Sequence, residues 1–144
     1  MTRTLYEQDF YAWANRNAQL IRAGKLSEID VENIAEELES MGRSEKRAFI
    51  NRLAILLAHL LKWHFQPALR SISWQYTIRA QRDQLYDLLE DSPSLKYQVE
   101  EKLNKAYRKA VSMASHETGL EESAFPENCP YAFDQVMDNS FFPE

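Results

Sequence analysis

Residues 44–67, SEKRAFINRLAILLAHLLKWHFQP, decide the fold. Ile50, Leu53, Leu57, Leu60 and His64 recur at intervals of three and four, while Phe49, Leu56 and Trp63 widen the apolar face. That period predicts an α-helix, and so broad a face predicts one packed on several sides. Ser44 is the expected N-cap, and Pro67 stops the run after Gln66. The most apolar part, Leu53 to Leu61, is nine residues long with His59 inside it, well short of the about 20 that a membrane span requires.

The same period extends in both directions. Upstream, a helix is expected over Asp9 to Arg22, with Phe10, Trp13, Ala14, Ala18 and Ile21 on one face and Gly24 as its stop. Asp30 is a good N-cap for a second helix striped by Val31, Ile34, Ala35, Leu38 and Met41, and Gly42 is expected to close it in a positive-φ conformation. Downstream, Pro67 to Ile72 form an irregular turn, and Ser73 opens a helix to about Glu90 with Trp74, Ile78, Leu85 and Leu88 inward. Ser92-Pro93 starts a fifth helix, through Leu95, Val99, Leu103, Ala106, Ala110 and Met113 to Gly119. After Leu120 the chain holds Pro126, Pro130 and Pro143, with one short helix expected between Asn128 and Met137. The expectation is an all-α fold: a single-domain bundle of about five helices spanning residues 1–144. Residues 120–144 would form an acidic, proline-containing tail docked by Phe125, Phe133, Phe141 and Phe142.

Composition agrees. The 144 residues carry 44% hydrophobic and 27% charged side chains, as a packed domain does, and only three glycines. One cysteine excludes an intrachain disulfide and a multi-cysteine zinc cluster. The opening Met1 to Asp9 carries Glu7 and Asp9 and no long apolar run, so secretion through a signal peptide is not expected. Together with the lone thiol, this leads to the expectation of a cytoplasmic protein without a membrane anchor.

No pattern of catalytic residues stands out. The positions three before His59, His64 and His116 are Leu56, Leu61 and Met113, so the Glu-x-x-His pair of helical metal sites is missing. His59 and His64 are five apart and diverge around a helix. The expectation is a solvated His59 and His116, a hydrogen-bonded His64, and no metal or cofactor. Cys129 has no neighbouring histidine to activate it, and no nucleophile elbow or phosphate loop is present.

Two polar features remain. Gln81 falls on the apolar stripe of the fourth helix, and Arg82 sits beside Ile78, Leu85 and Leu89. A guanidinium there requires a carboxylate or backbone carbonyls as partners, since an unpaired buried charge costs several kcal/mol. Glu37, beside the stripe of the second helix, is the first choice. The pair reads either as a structural salt bridge or as a polar pocket for a small ligand or substrate. The second feature is charge layout: residues 27–42 sum to −6, residues 43–83 to +6 and residues 120–144 to −6. Glu28, Glu32, Glu36 and Glu39 share a face if the helix includes Glu28. The basic segment either neutralises the acidic one or leaves it for a basic partner. Arg70, Arg79 and Arg82 lie among Trp63, Trp74 and Tyr76, a pattern that also suits single-stranded nucleic acid, against which stand the acidic segments and a pI of about 5.3.

Blocks spread over the chain carry a resemblance. They include Asp9-Phe10 with Trp13, Asp30, Asn33, Glu36-Glu37, Gly42-Arg43-Ser44-Glu45, His59-Leu60-Leu61-Lys62-Trp63 and Gln66-Pro67. They continue through Ser73-Trp74, Thr77-Ile78, Gln81-Arg82, Ser92-Pro93-Ser94-Leu95, Glu117-Thr118-Gly119 and Phe125-Pro126 with Cys129-Pro130. In this order, from about Tyr6 to Pro143, the chain resembles the bacterial family named domain of unknown function twenty-nine, with Ile29 where that family more often has Leu. The resemblance implies a small helical cytosolic protein and brings no activity, cofactor or catalytic residue. The function expected is a non-enzymatic helical module that binds another protein or itself. The alternatives are an enzyme or ligand binder using Glu37 and Arg82, and nucleic-acid binding through residues 43–83.

Overall fold

A computed structural model describes residues 3–144; Met1 and Thr2, with which the expected domain begins, lie outside it. Among the described residues there are six α-helices and no strand: α1 Leu5–Gln8, α2 Phe10–Arg22, α3 Val31–Phe65, α4 Ile72–Asp91, α5 Val99–Thr118 and α6 Phe133–Met137. The chain is all-α. Its contacts divide it into two compact units, one ending at Ser44 and the other running from Glu45 to Glu144.

The first unit is organised by Trp13 and Asp30. Asp9 caps α2 by accepting from the Ala12 amide, and Asp30 caps α3 by accepting from the Asn33 amide. Asp30 also receives the Trp13 indole N–H at 2.8 Å and the Asn33 side-chain amide at 2.8 Å. The buried Asn17 joins the two helices, donating to the Trp13 carbonyl and accepting from the Asp30 amide. Tyr6 and Phe10 pack on Trp13 at centroid distances of 4.7 and 5.4 Å. Asp30, Tyr6 and Phe10 thus fix one aromatic ring, which substitutes for the larger core that so short a segment cannot build.

The second unit has the conventional core: Phe49, Leu53, Leu56, Leu57, Leu60 and Leu61 of α3, with Ile78, Leu85, Leu103 and Ala110, are fully or almost fully buried. Phe125, Phe133, Val136 and Met137 of the tail close it, and Phe141 and Phe142 pack against it half-buried. The tail is therefore docked.

Three expected boundaries are corrected. Gly42 does not end a helix, and Ser44 does not start one: α3 runs unbroken through both. Positive φ among glycines occurs at Gly24 and Gly119, and Arg43 bridges Glu36 and Glu39 across the glycine. A mid-helix glycine costs only about 1 kcal/mol, less than renucleating a helix. The α4 cap is Ser71, whose extended backbone lets its hydroxyl accept from the Trp74 amide; Ser73 lies inside the first turn. Pro93 begins only a 3₁₀ turn, Pro93–Lys96, because Gln98 turns left-handed at φ 52 before α5. Lys102 holds that break open by donating to the carbonyls of Leu95 and Tyr97 at 2.6 and 2.7 Å.

The two glycines should respond oppositely to alanine. Gly119 ends α5 at φ 78, where a Cβ costs about 1–2 kcal/mol, whereas a Cβ on Gly42 meets nothing within 4 Å. Urea unfolding is expected to show Gly119→Ala destabilised by about 1 kcal/mol and Gly42→Ala stabilised by a similar amount.

Candidate functional site

Arg82 is the most deeply buried charge, at 1% exposure. Its Nε donates to the Val136 carbonyl at 2.7 Å, one Nη to Phe141 at 2.8 Å and the other to Asn139 at 3.5 Å. The Phe142 ring covers it, 5.6 Å from its centroid. Burial lowers its pKa, opposed by the nearby Asp138. Of the two partner types expected, backbone carbonyls are the ones found. The expected pairing with Glu37 is incorrect, since Glu37 accepts the Tyr6 hydroxyl within the first unit. Gln81 is half-buried and accepts from Arg52 at 3.4 Å.

A second arginine of the basic segment is similarly committed. Arg70 donates to the Trp63 carbonyl at 2.8 Å, reaches Pro143 at 3.4 Å and stacks over the Trp63 ring. Trp63 itself packs on Phe142. Of the residues that suggested a nucleic-acid grip, Arg79 and Tyr76 remain exposed while Arg70 and Arg82 serve the tail. This removes much of the support for that reading.

A polar cluster that the periodicity missed lies where α3 meets α4 and α5. Lys62 is 5% exposed, pairs with Glu117 at 2.5 Å, and sits over the Trp74 ring at 5.0 Å. His59, one turn earlier on α3, is half-buried rather than solvated: its Nδ1 lies 2.9 Å from the Ile55 carbonyl, and burial lowers its pKa. The signal was a lysine flanked by Leu61 and Trp63 within an apolar run. Lys62 reads as a structural charge, since its ammonium already has a carboxylate and an aromatic face. His64 is half-buried against the Tyr131 hydroxyl at 3.0 Å, and His116 is exposed. Burial raises the pKa of Cys129, whose Sγ donates to the Tyr131 carbonyl, so a reactive thiolate is disfavoured. Among the described residues no three His, Cys, Asp or Glu side chains converge as metal ligands, and no helix is long and apolar enough to cross a membrane.

The first unit supplies the surface that chemistry does not. An open groove of about 390 Å³ runs between α2 and α3, lined by Trp13, Ala14, Ala18, Ile21, Ile34, Leu38 and Met41, with Asn17 and Glu37 as its polar members. Leu38 and Met41 are each 63% exposed, and Val31, on the same stripe of α3, is 60% exposed. The apolar stripe that the sequence shows on this helix is therefore half uncovered. Glu28 lies in a 3₁₀ turn before α3, so Glu32, Glu36 and Glu39 continue the acidic face without it.

Comparison with known proteins gives one match: a family described as domain of unknown function DUF29 covers residues 5–142. No curated protein matches the chain, and no solved structure does.

Two sets of variants test the charges. Arg82→Met leaves the carbonyls of Val136 and Phe141 without their donors and should cost about 3–5 kcal/mol in urea unfolding. Adding Glu37→Gln should change that loss only by its own separate effect, an additive cycle. The second set concerns acid. Burial holds His59 below its ordinary value of 6.5, so its contribution is complete above about pH 6.5 and is lost as pH falls through the lowered folded value. The hydrogen bond from Lys62 holds Glu117 below its ordinary 4.5, so its contribution is lost only as pH falls through a value lower still. Acidification should lower the urea midpoint in two steps, and His59→Gln should abolish the first.

Proposed function

The chain belongs to the domain of unknown function DUF29 family, and from that premise, which attaches no chemistry to any residue, we propose that it is a non-enzymatic helical module that binds a polypeptide through the groove between α2 and α3. One observation carries the reading: Leu38 and Met41, 63% exposed, line an open apolar groove with Ile21 and Ile34. A contiguous apolar surface on a small domain is a common mark of an interaction site. Helix-lined grooves take amphipathic helices, whose apolar residues at three and four spacing fill such a trough. In the second unit the most apolar surroundings hold charges that are already committed: Arg70, Arg82 and Lys62 are each held by partners of the same chain. We also place the protein in the cytoplasm, a reading supported by its single thiol, Cys129, unpaired in a reducing environment.

Site-specific photocrosslinking in living cells tests this. A benzophenone side chain in place of Leu38 should yield polypeptide adducts, whereas the same group in place of Ile72, an exposed apolar residue of the second unit, should yield none of them. Absence of any polypeptide adduct from position 38, or the same adducts from both positions, overturns the reading.

A further inference from the structure

We propose that the second unit holds a site for a small anion with linked phosphoryl groups, bound by Lys46, Lys102, Lys105 and Arg108. The site is independent of the groove between α2 and α3. The argument begins on α5, which turns Leu103, Ala106 and Ala110 into the core. Glu101, Lys105 and Arg108 recur at four and three on another face of that helix, with Lys102 beside them. The start of the second unit's share of α3 brings in Lys46. Further along, Lys109 donates to the Asn51 side chain at 3.1 Å and ties the same two helices together. These residues, with the buried Ile50, wall a hollow of about 290 Å³. Four bases and one acid give its lining a charge of +3, in a chain whose net charge is −5.

These cations are uncommitted in a way that Arg82 and Lys62 are not. Among the described residues none of the four forms a salt bridge. Lys102 is the most constrained. Its ammonium has three N–H donors, and two go to the carbonyls of Leu95 and Tyr97 at 2.6 and 2.7 Å. The charge is thereby held in place with one donor left over. Burial, and then the charge of Lys46, lower its pKa, so the two ammonium groups are close enough to repel. A concave site lined by one sign of charge concentrates the potential and draws in the opposite charge. Matching +3 in so small a volume takes an anion of high charge density. A phosphoryl group carries about −1.5 to −2 near neutral pH, so two or three linked groups suffice. Arg108 offers a planar fork for their oxygens, and the lysines offer point charges. The volume is close to the lower end of small-ligand sites. A nucleic-acid strand fits less well. Arg108 also borders hollows lined by Glu122 and Glu127, where an extended phosphate backbone would meet carboxylates.

Isothermal titration of the full-length chain with sodium tripolyphosphate tests the proposal. One saturable site is expected, with a Kd below about 1 mM. Lys105→Gln and Arg108→Gln should each weaken binding at least about fivefold, whereas Arg79→Gln, which removes an exposed cation elsewhere in the second unit, should leave it within about twofold. All three side chains are exposed, so the helical circular dichroism of each variant should match that of the parent. Acetylation footprinting of the unaltered protein gives a readout that needs no variant: saturating tripolyphosphate should protect Lys46 and Lys105 and leave the exposed Lys25 reactive. No saturable binding up to about 5 mM overturns the proposal. Equal weakening by all three variants, or protection of Lys25 as strong as that of Lys105, also overturns it, since the attraction is then diffuse. Citrate bound as tightly as tripolyphosphate overturns the phosphoryl assignment. An oligothymidylate that binds at least about tenfold more tightly than tripolyphosphate, and depends on Lys105 and Arg108, overturns the small ligand in favour of a nucleic-acid strand.

Discussion

A guanidinium placed among apolar residues imposes a demand on everything near it. Arg82 cannot shed its charge, so the chain must deliver oxygen atoms to it or lose stability. The carbonyls of Val136, Asn139 and Phe141 meet that demand, and they can do so only because residues 138–144 are not helical: a carbonyl inside a helix already has its acceptor role filled. The irregular tail and the buried arginine therefore depend on each other. Neighbouring helices use the same device. Tyr86 donates to the Met137 carbonyl at the end of α6, and Tyr107 to that of Pro126. Side-chain donors on the regular helices satisfy backbone acceptors on the irregular segments, and this lets a proline-containing tail cover an apolar core without orphaned polar groups.

The two units reach order by different routes. The second excludes water from a large leucine-rich interior and then has to accommodate the charges that remain inside, Arg82 and Lys62. The first is too short to build such an interior. It relies on a few directed contacts around Trp13, Asn17 and Asp30, and it leaves apolar side chains of α2 and α3 in contact with solvent. A surface left over in this way is available for association, whereas the second unit turns Arg82 and Lys62 inward.

Much of this was written in the sequence. The limits of α2, the cap at Asp30, the stop at Pro67, the left-handed Gly119 and the phenylalanines that dock the tail all follow from local rules, and local rules are what residue types encode. That Arg82 would be buried and would need acceptors was also legible. Its partner was not, because every residue has a carbonyl and a sequence pattern names only side chains; the search for a carboxylate led to Glu37, which serves Tyr6 instead. Gly42 misled for a related reason. A glycine permits a helix to end without compelling it, and the outcome is decided by whether the flanking turns support each other. That the stripe of Leu38 and Met41 would lie exposed was not legible, since periodicity reports that a helix has an apolar face and is silent about what covers it.

The distance along the chain between Arg82 and its acceptors has a consequence for how the protein is made. Val136 follows Arg82 by 54 residues, so a ribosome working at about 5–20 residues per second presents the arginine about 3–11 s before the first of those carbonyls exists. During that interval α4 has no place to bury its cation, and the most favourable state keeps the guanidinium hydrated and the leucine-rich face of α3 incompletely covered. Vectorial synthesis thus sets an order of events in the second unit: helices first, held loosely, and desolvation of the charge last, when the tail arrives. The nascent chain passes through a stage with exposed apolar surface that the finished protein does not have, and the period in which it is most open to chaperones or to aggregation is fixed by the position of Val136 in the sequence rather than by the stability of the final fold.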